Sequence, residues 1–386
     1  MISLTNKTPA YYIAAIVTIL MATGAIFVFS AGANINQQLD LQHFYRFTQL
    51  RQILFFPLAV CVMHLVSRVN YKLLSLEKGF YKSPAVYLLV LSIALLIIVL
   101  IPGLGTEINY ARRWLKIPLG HVKISFQPSE LAKWTVIIFL AAFCHKFHDS
   151  LKLYWKRFIP LCVIAASVIL LILIEDFGTA ALIGLLTVVM LIIAGASLWH
   201  MLTPLPFGLA AFLMAILSSE TRKSRILAFL HPEKWTDSIN YQPSQSLIAI
   251  GSGGLWGKGL GRGICKYGHL PEDTTDFIFA IIGEELGFFG CAAVIILFIA
   301  FVWLGIYVIT NCKDPFGRLL AAGIILTIAI QAALNIGVVT VVLPTKGIPL
   351  PFVSAGGTSM LLSAAAVGVL LNIAQQTQKT QIPEIE

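Results

Sequence analysis

The chain has 386 residues, 58% of them hydrophobic and only 12% charged, with a mean hydropathy of +0.86. A soluble fold of that length has no interior able to hide so much apolar surface, which leaves an all-α polytopic membrane protein as the class. The net charge of +9 is scattered through loops between apolar runs, so it gives no sign of a nucleic-acid partner and points to anionic lipid neighbours or an anionic lipid substrate.

Apolar runs of about bilayer-spanning length occur at 11–31, 52–67, 84–101, 131–147, 158–174, 177–198, 201–217, 277–310, 319–343 and 358–374, which predicts about ten transmembrane helices. The first lacks a cleavage site and reads as a retained span. Residues 1–386 read as a single transmembrane domain, and 218–276 as a large extracytoplasmic loop between spans 7 and 8. Lys and Arg crowd the short loops at 68–82, 146–157 and 313–318, together with Lys7 and Lys379; the opposite short loops hold only Arg46, Arg51 and Lys346. That asymmetry predicts both termini in the cytoplasm. The six cysteines form no CxxC pair, so neither a disulfide framework nor a metal site is expected. His64, His145 and His200 are isolated and lack metal-ligand spacing.

Two outward segments, 102–133 and 218–276, are basic against the trend. Ordinary solvated loop charge explains that, and so does a cradle for phosphate above the outer leaflet. The first segment contains Arg112-Arg113-Trp114: guanidinium forks suit phosphate, and Trp favours the membrane interface with or without a catalytic role. Next comes Gln127-Pro128-Ser129-Glu130-Leu131-Ala132-Lys133. Pro128 fits a first helical turn, and Glu130 and Lys133 share a helix face, as a buried ion pair or as a polar patch lining a cavity. Glu175-Asp176 ends the fifth run, where a cap for the sixth helix is expected.

The glycine-rich stretch 251–261, with Lys258, superficially suggests a nucleotide loop. It fails that pattern, because Ser252 stands where a P-loop needs its first Gly and Gly259 where it needs Ser or Thr. A tight re-entrant turn and direct substrate contact both remain open. The most informative segment is Leu270-Pro271-Glu272-Asp273-Thr274-Thr275-Asp276-Phe277, which sets Asp276 at the junction of a polar loop and an apolar span, where a charge is costly and usually functional. Glu284 and Glu285 follow about two turns later. Lys346 lies in a loop stiffened by Pro344, Pro349 and Pro351, and Ser354-Ala355-Gly356-Gly357 leads into the last span with small residues.

Together, and in this order, these motifs resemble the SEDS family (shape, elongation, division and sporulation) of cell-wall polymerases over nearly the whole chain. The pieces at 99–105 and 225–232 tilt the resemblance to the division branch, with the elongation branch a close rival. Tyr110 replaces a usual Gly, a Pro is absent between Glu175 and Asp176, and Ala355 replaces a usual Tyr; none of these removes a charge.

The resemblance implies a peptidoglycan glycosyltransferase that polymerises lipid II at the outer face of the cytoplasmic membrane during division. It implies Asp276 as the catalytic residue, with Arg112, Arg113, Trp114, Glu130, Lys133, Lys258, Lys346 and Ser354 binding substrate. It further implies a class B penicillin-binding transpeptidase as partner, other division proteins nearby, and enrichment at the division site. No dedicated metal site is legible, although Mg²⁺ or Mn²⁺ could bridge diphosphate and carboxylate. A lipid II flippase and a non-catalytic scaffold are the competing readings. The first predicts polar residues through the depth of the bilayer, and the second predicts that Asp276 is dispensable.

Overall fold

The computed structural model of the chain describes residues 9–32, 48–108, 111–119, 122–231, 240–266, 272 and 274–379. Tyr110 therefore lies outside the described residues. The helices are α1 (Pro9–Gly32), α2 (Thr48–Ser67), α3 (Pro84–Leu100), α4 (Pro128–Lys146), α5 (Ile159–Glu175), α6 (Phe177–Ile193), α7 (Leu198–Met201), α8 (Pro204–Leu217), α9 (Glu220–Leu230), α10 (Tyr241–Gly253), α11 (Ile278–Asn311), α12 (Pro315–Val339) and α13 (Gly357–Lys379). Every apolar run predicted as a span falls on one of them. Among the described residues, six helical stretches are long and apolar enough to cross a membrane, and three shorter ones, 51–67, 84–100 and 177–193, are apolar as well. The chain is a mostly helical polytopic membrane protein.

Local chemistry starts these helices where the sequence indicates. Ser83 accepts from Ala85 N and Pro84 opens α3. Pro128 occupies the first turn of α4. Asp176 caps α6, accepting from Thr179 N at 3.1 Å and Thr179 Oγ1 at 2.8 Å, which is the expected cap. Asp314 caps α12 by accepting from Gly317 N at 3.0 Å.

The core lies among α1, α4, α6, α11, α12 and α13, whose buried apolar residues join one cluster. α13 packs along α2, α1 along α11, and α12 between α4 and α11. α8 has no buried residue and leans on α5 and α9.

One element was not legible in the sequence. β1 (Gly105–Ile108), β2 (Ala111–Leu119) and β3 (Val122–Phe126) form an antiparallel sheet in that order. Thr106 stands opposite Trp114 and Glu107 opposite Arg112. The basic segment is thus a small sheet leaning on α3, α4 and α5, so its arginines are held in place. Segment 218–276 likewise holds α9 and α10 rather than plain loop.

Candidate active site

Asp276 sits immediately before α11, whose first residues, Phe277 and Ile278, are buried. The strand of chain leading to it is pinned from three sides. Ala355 N donates to Thr274 O at 2.8 Å. Ser354 Oγ donates to Thr275 O at 2.5 Å and accepts from Leu350 N at 2.8 Å. Asn335 Nδ2 donates to Asp276 O at 2.7 Å. Asp276 is half-buried as a residue, and Gly347 stands against its carboxylate: a methyl group there would lie 3.1 Å from Asp276 Oδ2.

Burial, then the charges of Glu272 and Asp176, push the Asp276 carboxyl up to about 7, and the guanidinium groups of Arg113 and Arg225 pull the other way. A carboxyl so poised is partly ionised at neutral pH and can accept a proton there. The N-terminus of α11 favours the ionised form, and the surrounding burial outweighs it.

The sequence-predicted cations separate into two groups. Arg113 faces the site; its Nε donates to Glu175 O at 2.7 Å and its charge reaches Asp276. Lys346 lies 5.1 Å above the Phe177 ring and 6.0 Å above that of Phe212, and burial lowers its pKa. Arg112 instead turns along the sheet to Glu107, at 3.4 Å, while its backbone N–H donates to Glu175 Oε2 at 2.8 Å. Trp114 is half-buried in the sheet. A small cleft beside the two arginines is lined by Arg112, Arg113, Ser129, Glu175 and Asp176 together with apolar residues of α3 and α5.

Lys133 is fully buried, with Nζ 2.9 Å from Glu130 Oε2 and 2.9 Å from Gln331 Oε1. Ser359 Oγ donates to Glu130 at 2.7 Å, and Gln331 Nε2 donates to Pro349 O at 2.9 Å. The pair therefore lies beneath the proline-rich loop. Lys258 is brought to Glu284, at 2.7 Å, not to Asp276. Its neighbour pair, Lys266 and Glu285, is buried at 2.9 Å and shared with Ser30. These pairs hold the glycine-rich turn where α11 is broken at Gly287, φ 67°. Backbone donations from Lys258 N to Glu284 O and from Gly259 N to Glu285 O, both 3.0 Å, stitch turn to helix.

Sequence reasoning missed Arg225 on α9, Asn335 on α12 and Gly347. Nothing local marks any of them, since each meets Asp276 only through the tertiary fold. Among the described residues no three His, Cys, Asp or Glu side chains gather as metal ligands.

The family model described as FTSW_RODA_SPOVE, cell cycle protein, matches residues 10–379. The chain belongs to this family. Among FtsW/RodA/SpoVE relatives, stage V sporulation protein E of Bacillus subtilis is 38% identical over 379 residues, 97% of this chain and 99% of that protein. The probable peptidoglycan glycosyltransferase FtsW of Trichlorobacter lovleyi is 40% identical over 326 residues, 84% of this chain and 83% of the relative. A chain from a peptidoglycan synthase complex superposes with a TM-score of 0.71 at 23% identity, covering 97% of this chain and 99% of that one. Thermus thermophilus rod shape determining protein RodA gives 0.63 at 24% identity, covering 97% and 98%. At those identities the superpositions speak for the fold alone, and they place the family's polytopic architecture on this chain.

Proposed function

We propose that this family member is a peptidoglycan glycosyltransferase that polymerises lipid II into glycan strands, with Asp276 as the general base. The observation that carries the reading is the Asp276 carboxyl, pushed up to about 7 and within electrostatic reach of the guanidinium groups of Arg113 and Arg225. A sugar hydroxyl of the acceptor attacks the anomeric carbon of the donor. Its proton passes to Asp276, a C–O bond forms, and the bond from that carbon to the diphosphate oxygen breaks, with the electron pair leaving on diphosphate. Asp276 takes up the proton, and Arg113, Lys346 and Arg225 supply positive charge for the departing diphosphate. Arg112 lines the sheet side of the cleft, and Trp114 follows on the same strand. Lys133 and Glu130 brace the proline-rich loop through Gln331, Lys258 fixes the glycine-rich turn, and Ser354 fixes the approach to Asp276.

The reading extends to the surroundings. The chain forms one transmembrane domain of about ten spans with both termini cytoplasmic, which sets loop 218–276 and Asp276 at the outer face. Its partner is a class B penicillin-binding transpeptidase, and its place is the division site; the FtsW-named relatives support the division role over an elongation role. Purified protein incubated with lipid II, with and without its transpeptidase, tests the function. Glycan strands that depend on Asp276 are expected. Transport of lipid II without strand formation would favour the flippase reading.

A further inference from the structure

α12 presents two amide side chains one turn apart, Gln331 and Asn335, both buried. Gln331 holds Pro349 O and, on its other end, Lys133. Asn335 gives one N–H to Asp276 O at 2.7 Å and the other to Ile348 O at 2.8 Å. Asp276 and Ile348 are far apart in sequence, and a single amide joins their main chains. Gly347, next to Ile348, is the residue that stands against Asp276 Oδ2. The Asn335 side chain therefore fixes both the main chain that carries the carboxylate and the main chain that walls it.

The remaining atom of the amide is telling. Asn335 Oδ1 is buried and has no partner among the described residues. Buried acceptors are normally paired. Here the amide is oriented wholly by its two donations, since turning it over would set its oxygen against a carbonyl.

We infer that Asn335 is a positioning residue for Asp276, tying the loop that bears the carboxylate to the proline-rich loop and thereby fixing how far the carboxylate is withdrawn from water. This rests on the reading of Asp276 as the general base. The charged groups around that carboxylate come from every side: Glu272 in its own loop, Asp176 at the start of α6, Arg113 on β2 and Arg225 on α9, with Lys346 adjoining Gly347 in the proline-rich loop. Among the described residues Asn335 hydrogen-bonds main-chain oxygens and none of these charged groups, so removing its N–H groups changes the exposure of Asp276 without removing a charge near it.

The test reads Asp276 itself, independently of turnover. The full-length protein in detergent is treated with dicyclohexylcarbodiimide, which modifies protonated buried carboxyls, and labelling at Asp276 is followed by mass spectrometry against pH. Asp276→Asn provides the blank. The wild type should lose labelling with a midpoint near 7. Asn335→Leu keeps the branched outline of the side chain and removes both donors; its midpoint should fall by at least one pH unit, and kcat for lipid II polymerisation should fall about tenfold with KM little changed. Asn335→Ser keeps one hydroxyl donor and should move the midpoint the same way by less, and it decides the matter if the Leu variant does not fold. An unchanged midpoint in the folded variant overturns the inference whatever the activity does. A shifted midpoint in a protein whose wild type makes no glycan keeps the inference and defeats the general-base reading instead.

Discussion

Gly347 stands against the carboxylate of Asp276, so close that a methyl group on its Cα would lie 3.1 Å from Oδ2. That distance is tight, and either the proline-rich loop or the carboxylate must give by a few tenths of an ångström. Gly347→Ala is expected to fold and to lower the polymerisation rate roughly tenfold, since small misplacements of a reacting group cost orders of magnitude. Steady-state kinetics with lipid II measure it, and an unimpaired rate would mean that the carboxylate has room to spare.

The charges around Asp276 set a pH dependence with a definite sign. As the proposed base Asp276 must be ionised, so the rate should rise with pH and level off above about 7, where burial and the repulsion from Glu272 and Asp176 put its pKa. Glu272→Gln removes a repelling charge and should move this rising limb to lower pH. Arg225→Ala removes an attracting one and should move it to higher pH. pH–rate profiles of the three proteins check the order; a reversed order contradicts the assignment.

Stability follows the same carboxyl in the opposite sense. Its folded pKa is raised above the ordinary aspartate value of 3.8, so the ionised form is disfavoured in the folded state. The resulting penalty is absent below about 4, grows as pH rises, and is complete above about 7. Asp276→Asn should therefore melt higher than the wild type, by a margin that widens between pH 5 and pH 8. Melting curves in detergent report it.

The buried pairs carry a different expectation. Lys133→Met leaves Glu130 charged and buried, and breaking such a pair costs roughly 3–5 kcal/mol. The double variant Lys133→Met/Glu130→Gln should regain part of the loss in thermal unfolding. Lys258→Ala should loosen the glycine-rich turn from α11 while leaving the affinity for lipid II nearly unchanged, because its ammonium is committed to Glu284 at 2.7 Å. A large rise in KM for that variant would return Lys258 to the substrate.

The membrane orientation is open to labelling at exposed positions. Glu220 and Glu77 side chains are 87% and 64% exposed. An impermeant thiol reagent applied to intact cells should reach Glu220→Cys and not Glu77→Cys; the converse pattern would invert the topology.

Much of this was legible in the sequence for a physical reason. Helices in a bilayer need long apolar runs, so α1, α11 and α13 announce themselves, and caps such as Asp176 are local in sequence. Asp276 was legible because a carboxylate at the edge of an apolar helix is costly to place there. The sheet was not, since Arg112, Arg113 and Lys116 obscure the alternation of Trp114 and its neighbours. Nor were the partners of the charged residues. Lys133 meets Gln331 across 198 residues and Lys258 meets Glu284 across 26. The Arg225 and Asn335 approaches to Asp276 likewise depend on how α9 and α12 pack.

The most direct measurement is strand synthesis from lipid II by purified wild-type and Asp276→Asn proteins, each with the proposed transpeptidase partner, at pH 7.5. The wild type should build glycan strands, and the variant should insert, fold and bind lipid II yet polymerise about 10²–10⁴-fold more slowly. Glycan synthesis by Asp276→Asn at the wild-type rate would contradict the account.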